Sequence, residues 1–162
     1  MTPSNAIDLE FPSATIAFDA DGPWNAMFGI GSPRIARACS AENSIGVIAT
    51  PVTVQSKAYE IEIKKRSPQL NVHALACPAF VPLIESGAYE NGGMDKTVQH
   101  TLDAFISENN IDTLVLGCTH YPIIRPVIEK LYPQLKIIDP SYALARSVRS
   151  LLEENDMCAS QI

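Results

Sequence analysis

The sequence predicts an α/β fold: a three-layer domain around a parallel sheet, with a further helix at its C-terminal end. Three observations predict it. Short β-branched runs alternate with amphipathic stretches through the middle and C-terminal parts of the chain. One run, residues 111–117, is apolar almost throughout, as a central parallel strand covered on both faces must be. Polar residues follow the runs at successive strand ends, where open parallel sheets place their ligands.

Taken in order, residues 44–50 (Ser-Ile-Gly-Val-Ile-Ala-Thr) read as the first strand, stopped by Pro51. Residues 52–66 continue as one helix rich in Lys and Glu, closed by Ser67-Pro68. Residues 70–76 form the next strand, Cys77-Pro78 begins a loop, and residues 80–86 make a short helix stopped by Gly87. Asn91-Gly92-Gly93 is a flexible connection. Residues 94–108 place Val98, Leu102, Phe105 and Ile106 at helical spacing, and strand 111–117 follows. Pro122 stands where a helix can begin, Pro126 fits if it falls in a first turn, and the apolar spacing runs on to Tyr132 before Pro133. A last strand at 136–138 leads through Asp139-Pro140-Ser141, of which Asp139 or Ser141 can cap, into a helix over 142–153. The opening is less regular, with a possible strand at 15–18. The organisation expected is an N-terminal arm (1–27), an α/β domain (28–138) and a C-terminal helix and tail (139–162).

The 162 residues, 46% hydrophobic and 19% charged, suit one globular domain that buries about 68–70% of its unfolded surface. The apolar runs fall far short of the ~20 residues of a membrane span, and the N-terminus carries neither the basic residues nor the apolar core of an export signal. The expectation is therefore a cytoplasmic protein without membrane contact. Twelve basic against eighteen acidic residues give a net charge of −6, which repels a phosphate backbone, and Lys64-Lys65-Arg66 is too short a run to offset it. Nucleic acid is not an expected partner. Cys39, Cys77, Cys118 and Cys158 are widely spaced with no CxxC pair, so they read as free thiols rather than a disulfide framework or a metal knuckle, and no metal site is expected.

Two strand ends carry the most polar chemistry: Thr50 with Thr53, and Cys118-Thr119-His120. Both should face one crevice. Cys118 follows the buried strand directly, His120 lies two residues on, and an imidazole or a helix N-terminus stabilises a thiolate. From spacing alone, a loop cysteine beside a loop histidine fits equally well.

Leu116-Gly117-Cys118-Thr119-His120-Tyr121-Pro122 resembles the signature of the glutamate racemases, within the aspartate/glutamate racemase superfamily. Three further stretches resemble the same family in the same order: residues 45–50 with Thr53, residues 76–87, and residues 137–140. The resemblance runs from about Gly29 to Glu153. It implies interconversion of L- and D-glutamate for peptidoglycan synthesis by thiol acid/base chemistry, without a cofactor. By resemblance, Cys118 is the second of two catalytic thiols, His120 its acid/base neighbour and Glu85 the carboxylate that orients the histidine. Thr50, Thr53 and Thr119 match donors to the substrate carboxylates. Cys77 is typical of the family but reads as packing.

The resemblance also implies departures. Racemases of this kind have two facing α/β domains, each giving one thiol, and the sequence lacks the Asp-Ser-Gly, Pro-Tyr-Gly and Cys-Asn-Thr motifs of the first. Asp19-Ala20-Asp21-Gly22 is a faint echo of one of them, and Ser4-Asn5-Ala6 falls near the place of the first thiol. Two readings follow: a glutamate racemase or a fragment of one, and a catalytically impaired half-length relative acting as a binding or assembly subunit. Self-association is expected, because Leu144, Val148, Leu151 and Leu152 form an apolar stripe that the first domain would normally cover.

Overall fold

The computed structural model describes residues 44–157. The opening arm, its possible strand at 15–18, Ser4, Cys39 and Cys158 lie outside them. Four strands form one sheet: β1 (Ser44–Ala49), β2 (Asn71–Ala76), β3 (Thr113–Gly117) and β4 (Lys136–Ile138). Their order is β2-β1-β3-β4 and every pairing is parallel. β1 and β3 are the two central strands, and their apolar runs are buried along nearly their whole length, as the sequence pattern requires.

Alternation along the strands divides the core. Ile48, Leu114 and Leu116 face one side, where they pack with Phe80 and Ile84 of α3 (Phe80–Glu85), Val98 and Leu102 of α4 (Asp95–Glu108) and Ile128 of α5 (Arg125–Leu131). Ile45, Val47 and Val115 face the other, against Tyr59 and Ile63 of α2 (Ala58–Arg66). Helices thus cover both faces, and the three layers follow. The C-terminal helix α6 (Ser141–Glu154) starts where Asp139 Oδ1 accepts the Ser141 N–H at 2.9 Å.

Two expected helices are each broken in two. Residues 51–66 form α1 (Pro51–Ser56) and α2, because Lys57 adopts a left-handed conformation with φ 55°. Its N–H closes α1 on the Val54 carbonyl, while the Ser56 hydroxyl donates to the Thr53 carbonyl and accepts from the Ala58 N–H. After β3, a 3₁₀ turn (Tyr121–Ile124) precedes α5. Pro126, at the start of α5, has no N–H to donate backwards and would clash with the carbonyl four residues earlier in one continuous α-helix. The Lys130 ammonium on Asp95 at 2.6 Å then ties α5 to α4.

Candidate active site

The parallel registers end together. Ala49 pairs with Ala76 on one side and with Gly117 on the other, so the next residues, Thr50, Cys77 and Cys118, leave the sheet at one edge. The Cys77 N–H still donates to the Ala49 carbonyl at 2.9 Å. Beyond β2 the chain turns through Cys77-Pro78 into α3, whose last residue is Glu85. Beyond β3 it turns tightly, the Tyr121 N–H donating to the Cys118 carbonyl at 3.1 Å, and this turn aims the His120 ring back toward the thiol.

A four-atom chain results. Cys118 Sγ lies 3.9 Å from His120 Nδ1, and His120 Nε2 lies 3.1 Å from Glu85 Oε1. With Nε2–H donated to the carboxylate, Nδ1 turns its lone pair to the thiol, so the imidazole can take the sulfhydryl proton and return it. The thiol is half-buried, the imidazole 35% exposed and the carboxylate 63% exposed, so the site opens to solvent from the Glu85 side. Thr50 and Thr53 share a hydrogen bond between their hydroxyls at 3.0 Å, and Thr119 is exposed between Cys118 and His120.

The second described thiol differs. Cys77 is 1% exposed and burial pushes it up to about 12, so it is a packed side chain rather than a source of thiolate. Two tyrosines bound the site that sequence reasoning did not single out. Tyr59 lies beneath Gly117: a Cβ there would meet its Cε2 at 3.2 Å. Its phenol is held above the ordinary tyrosine range by burial, and further by its electrostatic interaction with Cys118. Tyr121, fully buried, donates its hydroxyl to the Cys77 carbonyl at 3.2 Å and is raised chiefly by burial, then by the charges of Cys77 and Cys118. Only their place in the fold marks them, apart from Tyr121 falling within the signature. Among the described residues no group of three or more His, Cys, Asp or Glu is arranged to hold a metal ion.

The same edge can be compared with known proteins. The family model for Asp/Glu/Hydantoin racemases matches residues 26–148. The chain belongs to this racemase family. It is 43% identical over 118 residues to glutamate racemase 2 of Caldanaerobacter subterraneus subsp. tengcongensis, an overlap of 72% of this chain and 44% of that protein. It is 42% identical over 118 residues to the glutamate racemase of Streptococcus mutans, with the same two shares. The crystal structure of glutamate racemase from Francisella tularensis in complex with D-glutamate superposes with a TM-score of 0.69 and 34% identity, covering 84% of this chain and 49% of that one. The chain therefore spans just under half the length of these relatives. Within this racemase-family chain, Cys118, His120 and Glu85 are in one hydrogen-bonded line, and Thr50, Thr53 and Thr119 lie on the same edge.

Proposed function

We propose that the chain carries one thiol side of a glutamate racemase. Cys118, as thiolate, removes the α-proton of glutamate; the Cα–H electron pair stays on the substrate as a carbanion delocalised into the α-carboxylate, and the proton becomes the sulfhydryl proton. Once the sulfhydryl proton has been swapped for a solvent proton, return from the same thiol replaces the α-proton with a solvent one and keeps the enantiomer. Delivery by a second donor on the opposite face gives the other enantiomer. His120 removes the sulfhydryl proton to regenerate the thiolate, Glu85 holds the imidazole in the required tautomer, and Thr50, Thr53 and Thr119 receive the carboxylates.

The observation that carries this reading is the line from Sγ through Nδ1 and Nε2 to Oε1, standing at the carboxyl ends of β1 and β3. The similarity to glutamate racemases supplies the substrate class. Action without a cofactor, in the cytoplasm and toward peptidoglycan precursors, belongs to the same reading. So does self-association, supported by Val148 and Leu151 standing 45% and 44% exposed on α6.

The test is incubation of the full chain with L- or D-glutamate in heavy water, following the α-proton by NMR and enantiomer by polarimetry. The expected result is α-proton loss from at least one enantiomer, abolished in Cys118→Ser. No exchange from either, or exchange undiminished in Cys118→Ser, overturns the assignment.

A further inference from the structure

Glu85 and His120 meet across 35 residues, on elements that the sheet does not join directly: α3 follows β2, the His120 turn follows β3, and β1 lies between the two strands. The spacing of the carboxylate and imidazole is therefore set above the strand ends, by what links the two connections there.

Tyr121 contributes a buried link of this kind. Tyr121, next to His120, is fully buried, and its hydroxyl reaches the Cys77 carbonyl at 3.2 Å, 44 residues away in sequence. Its ring meets the ring of Phe80 edge-on, with centroids 5.6 Å apart and planes at 66°. Phe80 is the first residue of α3 and Glu85 the last. The Cys77 carbonyl also accepts the Phe80 N–H at 3.2 Å, so the tyrosine and the start of α3 are fastened to one backbone oxygen. That oxygen is itself anchored, because the Cys77 N–H donates to Ala49 of the central strand.

We propose that Tyr121 is a positioning residue that sets the His120–Glu85 distance by clamping the start of α3 to the turn that bears His120. The lever is short. Five helical steps from Phe80 to Glu85 span about 7.5 Å, so a tilt of about 10° at Phe80 moves the Glu85 backbone by about 1.3 Å. Such a movement takes the 3.1 Å contact out of hydrogen-bond reach. The ring contact resists the tilt from the α3 side, and the hydroxyl fixes the ring in its plane. The tyrosine acts through Phe80 and Cys77, not on the reacting atoms.

The inference rests on the reading of Cys118, His120 and Glu85 as the proton-moving line, and its test does not depend on turnover. In the full chain, imidazole ¹⁵N shifts report which ring nitrogen of His120 carries the proton, with Glu85→Gln as the reference for a weakened pair. Tyr121→Leu is expected to shift the tautomer balance toward that of Glu85→Gln, while Tyr121→Phe, which keeps the ring contact but loses the bond to Cys77, falls between the two and nearer the wild type. Phe80→Leu, which removes the same contact from the α3 side, should reproduce the Tyr121→Leu result and serves if that variant fails to fold. Where α-proton exchange is measurable, Tyr121→Leu should lower kcat at least tenfold with KM within twofold, and Tyr121→Phe should recover most of it. A folded Tyr121→Leu or Phe80→Leu variant with wild-type ¹⁵N shifts overturns the clamp. Absence of exchange in the wild type would instead sink the functional reading and leave the shift comparison standing.

Discussion

Replacing Gly117 by alanine asks whether the thiol's position is set by the absence of a side chain one residue before it. A Cβ at 117 would lie 2.9 Å from the Ile48 carbonyl oxygen, 3.1 Å from Ala49 Cβ and 3.2 Å from Tyr59 Cε2. The first contact decides the outcome. Ile48 is fully buried and paired with both Leu75 and Leu116, so its carbonyl cannot swing aside, and β3 must move instead. Overpacking of this kind costs about 1–3 kcal/mol. For a chain of this size each kcal/mol lowers Tm by about 2–4 °C, so a cost of about 2 kcal/mol predicts a drop of about 4–8 °C. Cys118 follows Gly117 directly, and its 3.9 Å approach to Nδ1 is already at the outer reach of a sulfur hydrogen bond, so a displacement of a few tenths of an ångström away from the ring breaks it. The assay is thermal unfolding together with the iodoacetamide labelling rate of Cys118 by peptide mass. Gly92→Ala is the control: with φ 70° and nothing nearer than 3.9 Å, it should cost about 1–2 kcal/mol through backbone conformation and leave Cys118 labelling unchanged. A Gly117→Ala variant with both Tm and labelling rate at wild-type values would refute the argument from space.

Glu85→Gln, at a 63% exposed position, should change stability by no more than about 0.5 kcal/mol in urea titration yet slow α-proton exchange on the order of tenfold or more. Cys118 should be alkylated faster than Cys77 in the folded protein, because Cys77 is 1% exposed and its proton is held to about pH 12; equal rates would remove the distinction between the two thiols. The same shift fixes a sign: the folded value lies above the ordinary 9, so this group's stabilisation is complete below pH 9 and is lost as the pH rises toward 12. Cys77→Ala should therefore flatten the alkaline fall in stability, measured by urea unfolding across that window, by up to about 1.4 kcal/mol per pH unit. Val148→Asp or Leu151→Asp should reduce self-association in sedimentation velocity at micromolar protein; a monomeric wild type would exclude that surface.

The strands were legible because their signal is local. The apolar runs of β1 and β3 stand almost where the pattern puts them, since burial on two faces favours apolar side chains along the run, and the partly exposed edge strand Lys136–Ile138 stands there too. The helix breaks were harder to see. Lys57 carries no glycine or asparagine signal for its left-handed backbone, and its conformation is supported by hydroxyl and backbone bonds from Ser56 and Val54 that propensity does not register. Pro126 was visible, but placing it in a first turn required knowing that the 3₁₀ turn before it ends at Ile124. At the site, the pairing of Cys118 with His120 is readable at a spacing of two, whereas Glu85 came from family resemblance and the Tyr121–Cys77 bond from neither source. Contacts across 35 and 44 residues are products of the β2-β1-β3 order, which no single segment encodes.

That order also explains an unequal support among the site's groups. Cys118 extends from a central strand whose position is fixed by ladders on both sides, and Tyr121 locks the turn behind it. Thr50 leaves the other central strand, but its partner Thr53 sits on α1, a helix of six residues with none of its side chains buried. α1 is bounded by Pro51 at one end and the left-handed Lys57 at the other, so local backbone geometry orients it with only partly buried side chains to help. In the proposed reaction the atom that must meet the α-proton within tenths of an ångström is thus carried by the sheet. The hydroxyls that receive carboxylates, whose two oxygens tolerate a range of approach, are left in part to a helix with none of its side chains buried.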